Sequence, residues 1–239
     1  MSTINVASDQ TDARLTCDLH THTCYSRDCL TTLPDFLETC RRRRLDRVAV
    51  TDHNTIAGAV RLQQMDPQRI IVGEEILTTQ GELIAYFLTE PVPAGLSPQH
   101  AIAAVRDQGG VIGASHPLDR YRREAVGRAK LLPLLGRLDF LEGFNARCIL
   151  HADNRAAQDL AQARGLPTTA GSDAHSRWEL GRAVTLLPLF DGPTSFLESL
   201  PEGQIAGRMT PFWIHFVSVY AKLARRRGWV PLPGDQGGR

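Results

Sequence analysis

The paired histidines His20 and His22 are the first residues of this 239-residue chain whose types and spacing could do chemistry. They follow an apolar run from Leu15 to Leu19, which predicts that they lie at the end of a strand. Residues two apart on a strand point to the same side, so both imidazoles would face one point. Neutral imidazole is the commonest side-chain metal ligand. The pair alone is a weak signal, and the prediction of a metal site depends on ligands from other segments.

Further histidines and carboxylates follow the other strands that the sequence predicts. In parallel α/β proteins, catalytic groups gather at the C-terminal ends of the strands. Five of the eight histidines occupy such ends, and buried ionisable groups need partners or metals. We therefore expect a multinuclear metal site. The polar residues that end or follow predicted strands are His20, His22, His53, Glu75, His116, Asn145, Asp173 and His175.

The residue types in this set restrict the metal and the reaction. Mixed His, Asp and Glu ligands without paired cysteines suit Zn²⁺, Mn²⁺ or Fe²⁺, with Mg²⁺ as a harder alternative. Two or three such ions would lower the pKa of a bridging water, hold phosphate oxygens and stabilise a leaving alkoxide. Phosphoester hydrolysis through a metal-bound hydroxide then needs no protein nucleophile. Cys24 and Ser26 lie close in sequence, but neither stands in a known nucleophile motif.

Strands alternate with helices through most of the chain. This pattern predicts a parallel sheet, and at this length a closed (β/α) barrel fits better than two domains. Predicted helices are Leu33 to Arg44, Thr55 to Met65, Pro98 to Gln108, much of 118–137, Asn154 to Arg164, and Pro211 to Arg227. Predicted strands are Arg14 to His20, Arg47 to Thr51, Arg69 to Glu75, Glu82 to Leu88 (returning from the preceding strand as in a hairpin), Val111 to Ser115, Asp139 to Phe144, Thr168 to Gly171 and, as the last strand, Ala183 to Leu187.

Composition excludes several classes of protein. The net charge of +1, from 27 basic and 26 acidic residues, gives no support for a general nucleic-acid coat or an anionic-membrane binder. Five cysteines without a C-x-x-C pair favour free thiols in a reducing cytosol. Residues 1–13 are polar, lack a secretory signal and are expected to form a loose tail. The apolar run from Phe212 to Tyr220 is too short for a membrane span, so we expect a soluble cytoplasmic protein.

Five ordered segments resemble the motifs of a known family. DLHTHTCYSRD, TDHNT, GEE, SHP and GSDAH are similar to the motifs of the PHP (polymerase and histidinol phosphatase) superfamily, over Asp18 to Gly181. The resemblance implies a distorted (β/α)₇ TIM-like barrel, a trinuclear metal cleft and metal-dependent phosphoesterase activity. We expect a single domain, with the barrel over 14–210 and a C-terminal helix and flexible tail over 211–239.

The same resemblance implies the metal ligands. Many relatives carry a further histidine shortly after the bridging glutamate, whereas this chain has none between Glu75 and His100. Glu82 is the candidate substitute, and a carboxylate there would favour Mn²⁺ or Mg²⁺; the alternative is a surface residue of a hairpin. By motif, His20, His22, Glu75 and Asp173 would hold one ion, Asp28, His53 and His175 a second, and Glu75 would bridge to a third near His116.

The substrate side of the site is predicted from three residues that follow strand ends. Arg147 is the predicted phosphate clamp, because a guanidinium matches phosphate oxygens bidentately, and Arg120 is a second candidate. A salt-bridge role is the alternative for each arginine. Asn145 is expected to contact substrate, and Asp173 and His175 are expected to be essential for catalysis.

Several functions remain open at this point. The preferred substrates are nucleotide mono- or bisphosphates and short RNA 5′ ends, with histidinol phosphate second; this order rests on family analogy. A non-catalytic metal-binding accessory module is a further alternative. An amidohydrolase-type enzyme would need a carboxylated lysine at a strand end, but Lys130 and Lys222 are the only lysines and neither follows a predicted strand. The oligomeric state is left open.

Overall fold

A nine-stranded sheet forms the centre of the computed structural model, which describes residues 13–230. The predictions made for residues 1–12 and 231–239 lie outside the described residues. The strands are β1 (Arg14–Thr21), β2 (Arg47–Val50), β3 (Ile70–Thr78), β4 (Gly81–Tyr86), β5 (Val111–Ala114), β6 (Phe140–Asn145), β7 (Thr168–Gly171), β8 (Ala183–Pro188) and β9 (Gln204–Gly207). The helices are α1 (Leu33–Arg42), α2 (Ala57–Met65), α3 (Pro98–Asp107), α4 (Arg128–Leu131), α5 (His151–Ala163), α6 (Pro193–Ser199) and α7 (His215–Arg226).

The sheet curves into a nearly closed barrel, in agreement with the predicted fold class. Its order is β7-β6-β5-β4-β3-β2-β1-β8-β9. The outer strand β7 returns to β1 just beyond its last residue, where Asp173 N donates to His20 O at 2.7 Å and His22 N donates to Ala174 O at 3.0 Å. The C-terminal ends of β1 and β7 therefore meet at one mouth of the barrel.

The sheet is mixed rather than wholly parallel. β1, β2 and β3 run parallel to one another, as do β5, β6 and β7. β4 is antiparallel to both β3 and β5, and β8 is antiparallel to β1. The short connection between β3 and β4 explains the reversal, because so few residues join only antiparallel strands. As a result, the start of β4 lies at the same mouth as the end of β3.

Alternation along the strands separates apolar residues from acidic ones. Ile71 on β3 and Phe140 on β6 lie in one apolar cluster. On the same face, Glu75 follows Ile71 by four residues and Glu142 follows Phe140 by two. On the reversed strand β4, Glu82 precedes Ile84 on that face. Apolar side chains therefore fill the interior of the barrel, and carboxylates line its mouth.

Helices cover the outside of the sheet, and their local sequences explain where they begin. Thr32 and Ser97 accept backbone N–H groups at the starts of α1 and α3, and proline occupies the first turn of both helices. Their buried faces pack into the larger apolar cluster with Leu62 of α2 and Leu160 of α5.

Two sequence predictions of secondary structure are wrong. Residues 118–127 form turns rather than helix, and only α4 and a 3₁₀ segment, Leu132–Arg137, follow them. The leucines and arginines there had suggested a helix, but the turns bring Arg122 inward. β8 is not the last strand either, because β9 pairs with it. The predicted helix at 211–227 is a 3₁₀ turn, Phe212–Ile214, followed by α7.

The described residues also bear on thiols and membranes. All five cysteines are free, as predicted, and four of them are buried. Within residues 13–230, no helix combines the length and apolar character that a membrane span requires.

Candidate metal centre

The mouth of the barrel gathers the histidines that the sequence singled out. His20 and His22 leave the end of β1 with their Nε2 atoms 3.2 Å apart. Glu75 Oε2 lies 3.4 Å from His20 Nε2, and Asp173 Oδ1 lies 3.2 Å from His22 Nε2. These four side chains form one potential metal-binding group, with the composition that the motifs implied.

A second group lies on the outer side of the first. Asp28 Oδ1 lies 3.2 Å from His175 Nε2 and 3.6 Å from His53 Nε2. The rings of His53 and His175 flank His22, with centroid distances of 4.5 and 4.2 Å. The imidazoles of His22, His53 and His175 and the carboxylate of Asp28 therefore form a second potential metal-binding group. They come from three separate segments of the chain.

The third group lies between β3, β4 and β5. His116 Nε2 lies 2.7 Å from Glu75 Oε1, so Glu75 faces His20 with one oxygen and His116 with the other. Glu82 lies 3.6 Å from His53 Nδ1 and 3.6 Å from His116 Nε2. The Glu82 side chain is buried in the site and does not lie on the surface of the hairpin. Its position is compatible with the expectation that it substitutes for the missing histidine ligand.

The donor set fits divalent cations. Among the described residues, Asp28 Oδ1, Glu75 Oε2 and Asp173 Oδ1 are buried oxygens that accept no hydrogen bond. Each lies within 4 Å of a histidine nitrogen. A buried carboxylate oxygen without a hydrogen-bond donor costs folding free energy unless a cation faces it. Nitrogen and oxygen donors without a thiolate are the ligands that Zn²⁺, Mn²⁺ and Fe²⁺ accept.

Residues behind the histidines orient the rings. Glu142 Oε1 accepts from His20 Nδ1 at 3.0 Å, which leaves Nε2 directed at the centre. Ser26 Oγ lies 3.1 Å from His22 Nδ1 and donates to Asp52 at 2.6 Å. Such partners of ligating histidines fix the tautomer and ring orientation.

Sequence reasoning missed Glu142, and it considered Ser26 only as a nucleophile. A single acid within the apolar strand β6 was the available signal for Glu142. Ser26 carried no comparable signal, because its role depends on the fold of the loop after β1.

Backbone strain marks two of the predicted ligands. His116 has φ of 30° and Asp173 has φ of 51°, a region that residues other than glycine rarely occupy. Hydrogen bonds hold both, because His116 N donates to Glu142 at 2.6 Å and Asp173 N donates to the carbonyl of His20 at 2.7 Å. Strain of this kind persists only where surrounding structure imposes it, and it concentrates at functional sites.

The electrostatics of the mouth follow from burial and close charges. Burial alone would raise the pKa of Glu75, but His20 and His53 outweigh it and hold that pKa well below its usual range. Burial likewise opposes the lowering at Asp173, where Arg122 and His20 prevail. Burial and the neighbouring Glu75 raise the pKa of Glu82 to about 7. The site therefore balances crowded carboxylates against cations.

A cleft of about 560 Å³ opens over the second and third groups. Its cationic lining includes three residues that sequence reasoning did not assign to the site, Arg27, Arg122 and Lys222. Arg122 Nη2 lies 2.7 Å from Asp173 Oδ2, and Lys222 Nζ on α7 lies 3.2 Å from Asp28 Oδ2. Arg27 and Arg147 line the same cleft. An anionic group entering it would meet positive charge from several segments.

The three predicted substrate residues take different positions. Arg147 borders the cleft, but its guanidinium is buried and bonds to Glu179 at 3.1 Å and to Ser218 Oγ at 2.9 Å. Asn145 is fully buried and donates to Glu142 at 3.1 Å and to Asp173 at 3.2 Å.

Arg120 is not brought to the cleft. It lies on the outside of the barrel and pairs with Asp153 at 2.8 Å.

The fold is a mixed α/β barrel whose mouth carries buried His, Glu and Asp groups that fit divalent metal ions, and family comparison agrees. Residues 18–111 match the PHP domain, and residues 151–205 match the PHP-associated domain. An uncharacterized protein of Methanocaldococcus jannaschii, MJ1587, is 36% identical over 142 residues, which cover 54% of this chain and 81% of that protein. The chain belongs to the PHP family.

Solved structures of similar fold come from distant relatives. A two-domain protein from Bacteroides vulgatus, containing a predicted PHP-like metal-dependent phosphoesterase, superposes with a TM-score of 0.68 at 18% identity, over 82% of this chain and 65% of that one. The chain therefore spans slightly less than two thirds of that protein. The lesion-specific endonuclease PfuEndoQ from Pyrococcus furiosus gives a TM-score of 0.57 at 15% identity, over 81% of this chain and 58% of that one.

Proposed function

We propose that the chain is a metal-dependent phosphoesterase that hydrolyses a small phosphorylated metabolite or nucleotide. The observation that carries the proposal is the set of buried carboxylate oxygens, on Asp28, Glu75 and Asp173, that accept no hydrogen bond while facing histidine nitrogens beside a cationic cleft. Family membership supports it, and so does the fold that the chain shares with a predicted PHP-like phosphoesterase and a lesion-specific endonuclease. Free, mostly buried thiols support the cytoplasm as its location.

Bound divalent ions would supply an activated water at neutral pH and positive charge for phosphate oxygens. The chain's own residues would hold those ions at fixed separations. In the proposed assignment, His20, His22 and Asp173 serve one ion, Asp28, His53 and His175 serve another, and Glu75 bridges toward a third with His116 and Glu82. Mn²⁺, Zn²⁺ and Fe²⁺ are the proposed metals.

Positioning of the phosphate falls to the cations of the cleft. Arg122 is the proposed principal clamp, because its guanidinium reaches the metal-binding carboxylate Asp173 and still has 18% of its side chain exposed. Lys222, on α7, would approach the phosphate from beside Asp28. Arg147 would add positive potential from a fixed position, since Glu179 and Ser218 already hold it. Such preorganised charge stabilises the transition state more than the ground state.

The test combines metal analysis with a hydrolysis panel. Purified protein, loaded in turn with Mn²⁺, Zn²⁺ and Mg²⁺, is assayed on an aryl phosphodiester, nucleotide mono- and bisphosphates, a short 5′-phosphorylated RNA and histidinol phosphate. We expect metal-dependent release of the aryl alcohol from the diester and of phosphate from the monoesters, with the nucleotide or RNA class preferred. Metal binding without turnover on any substrate would favour an accessory module and contradict the proposal.

Variants of the metal centre sharpen this test. Asp173→Asn and His175→Ala should lower turnover by orders of magnitude, because each removes a ligand that positions an ion. His100→Ala is the matched control, since His100 lies on the exposed start of α3 and touches no residue of the centre. Near-normal turnover of metal-replete Asp173→Asn or His175→Ala would refute the assignment.

A further inference from the structure

The C-terminal helix α7 and the turn before it expose an apolar stripe. A surface helix normally turns its apolar face toward the core. Here the buried face carries small residues, Ser218, Ala221 and Ala224, while large apolar side chains face outward. The exposed stripe consists of Phe212, Trp213, Phe216, Val219, Tyr220 and Leu223.

Part of this stripe lines a second cleft of about 620 Å³. Trp213, Phe216 and Tyr220 form one wall, and Trp178 stands on the other side. The guanidinium of Arg177 lies 5.4 Å from the centre of the Trp178 ring. The cleft therefore offers several aromatic faces, which suit a flat ring rather than a flexible chain.

The aromatic cleft adjoins the metal cleft at one residue. His175, whose Nε2 faces Asp28, borders both the aromatic cleft and the metal cleft. One molecule could thus place a phosphate over the ions and a ring on the aromatic wall, on either side of a single imidazole.

The charges of α7 favour an anionic substrate over an anionic membrane as the occupant. Lys222 is directed at Asp28 in the metal cleft, and Arg225 donates to the carbonyls of Cys24 and Cys29 at 2.6 and 2.9 Å. Two of the basic residues of the helix thus point toward the site. A membrane-binding helix would instead carry its cations beside its exposed apolar face.

We propose that the aromatic cleft is a base-binding subsite, in which Trp178, Trp213 and Tyr220 stack on the unpaired nucleobase of a substrate whose phosphate lies in the metal cleft. The subsite rests on the proposed phosphoesterase function and narrows its substrate to a nucleotide or the end of a single strand. Stacking on aromatic side chains tolerates any base, because every base has a π-face. The proposal adds specificity residues from α7, which lies beyond both family matches.

Intrinsic fluorescence tests the subsite without turnover. The chain has three tryptophans, and Trp178 and Trp213 both line the cleft. In the Trp229→Phe background, the remaining signal therefore comes from the cleft. Metal-loaded protein is mixed rapidly with AMP or with ribose 5-phosphate, which has the same sugar and phosphate but no base, and the fluorescence is read within milliseconds, before hydrolysis. We expect AMP to quench the fluorescence and ribose 5-phosphate to leave it unchanged.

Variants on α7 separate stacking from general effects. Tyr220→Ala should weaken AMP binding about tenfold, within the range measured for loss of one stacking side chain. Val219→Ala is the control, because Val219 is an equally exposed apolar residue of α7 that lines neither cleft. It should leave AMP binding unchanged, and neither substitution should alter ribose 5-phosphate binding.

Three outcomes would overturn the subsite. One is equal quenching by AMP and ribose 5-phosphate. Another is a fluorescence change with phosphatidylglycerol vesicles but not with AMP, which would make the stripe a membrane-binding surface. The third is that the protein forms a dimer, that Tyr220→Ala dissociates this dimer, and that AMP does not quench its fluorescence. Because hydrolysis is measured separately, the subsite and the phosphoesterase function can fail independently.

Discussion

Arg122 and Arg120 are two positions apart, yet their guanidinium groups have different surroundings. Arg122 pairs with Asp173 at 2.7 Å within the mouth of the barrel, and 18% of its side chain is exposed. Arg120 pairs with Asp153 outside the barrel, and 64% of its side chain is exposed. The sequence favoured Arg120 because it follows the HPLD segment closely, whereas the turns of 118–127 decide which arginine points inward.

We expect Arg122→Ala to lower kcat/KM about 100-fold, because it removes a preorganised cation from the phosphate site. Steady-state kinetics on an aryl phosphodiester, with metal content measured on the same sample, would check this. Arg120→Ala is the matched control and should stay within about twofold of the wild type, since its guanidinium pairs with Asp153 and does not line the metal cleft. Equal kcat/KM for the two variants would contradict the proposed role of Arg122.

Glu142 connects three parts of the centre. It accepts from His20 Nδ1, from the backbone N–H of His116 and from the side-chain amide of Asn145. Its carboxylate therefore fixes one ring, one strained backbone and one buried amide.

Glu142→Ala should weaken metal affinity by about 10- to 100-fold, because His20 would lose the partner that orients its ring. Competition against a chelating dye would measure the affinity directly. Glu198→Ala removes the same group from an exposed position on α6 and should leave the affinity unchanged. If Glu142→Ala bound metal as tightly as Glu198→Ala, Glu142 would have no part in orienting the ligand.

At the scale of elements, the end of β7 must approach β1 closely. A Cβ at Gly171 would overlap His20 Cβ and lie 2.9 Å from Glu142 Oε1. These neighbours are buried and fixed by hydrogen bonds, so they have little room to move. Glycine at this position therefore lets β7 deliver Asp173 and His175 beside the histidines of β1.

Gly171→Ala should destabilise the protein by about 1–3 kcal/mol, the usual cost of overpacking a filled interior. For a chain of this size, that corresponds to a fall in Tm of roughly 2–12 °C, which calorimetry would detect. Gly136→Ala is the control, because a Cβ at Gly136 would meet nothing within 4 Å. An unchanged Tm for Gly171→Ala would show that β7 can shift away from β1.

The sequence predicted the strand ends well for a physical reason. An apolar run that stops at a polar residue marks the point where a buried strand leaves the core. His53 and Glu75 could therefore be assigned to strand ends from the sequence alone. Glu82 was accessible by the same route, because the short return after Gln80 predicted a hairpin and the structure has one.

Other parts of the centre depend on contacts that no local pattern encodes. Lys222 reaches Asp28 across 194 positions of the sequence, from a helix that was predicted but not assigned to the site. The position of Arg122 depends on the path of the turns before α4. The antiparallel direction of β8 could not be predicted, because a short apolar strand has the same sequence pattern in either direction. Packing between distant segments decides all three.

The whole molecule concentrates negative charge in a small buried volume. Asp28, Glu75, Glu82 and Asp173 are all buried at one mouth of the barrel, and three of them carry oxygens without a hydrogen-bond donor. Without bound metal ions, the desolvation of these carboxylates opposes folding, and Glu75 repels Glu82. Metal binding should therefore contribute to the stability of the entire barrel, because the unfolded chain has no preformed site.

Removing metal with EDTA should lower the Tm, and adding Mn²⁺ should restore it. A ligand at about 100 times its Kd stabilises the folded state by roughly 2.7 kcal/mol, so a shift of about 5–11 °C is expected for a chain of this length. Asp173→Asn provides the matched comparison: it removes a proposed ligand and should reduce the gain on adding Mn²⁺, while the loss of the Arg122 partner should lower the Tm of the metal-free protein. Differential scanning calorimetry of both proteins, each with EDTA and with Mn²⁺, measures the four values. If EDTA left the wild-type Tm unchanged, and Asp173→Asn behaved identically in both conditions, the carboxylates at the mouth would not be held together by cations.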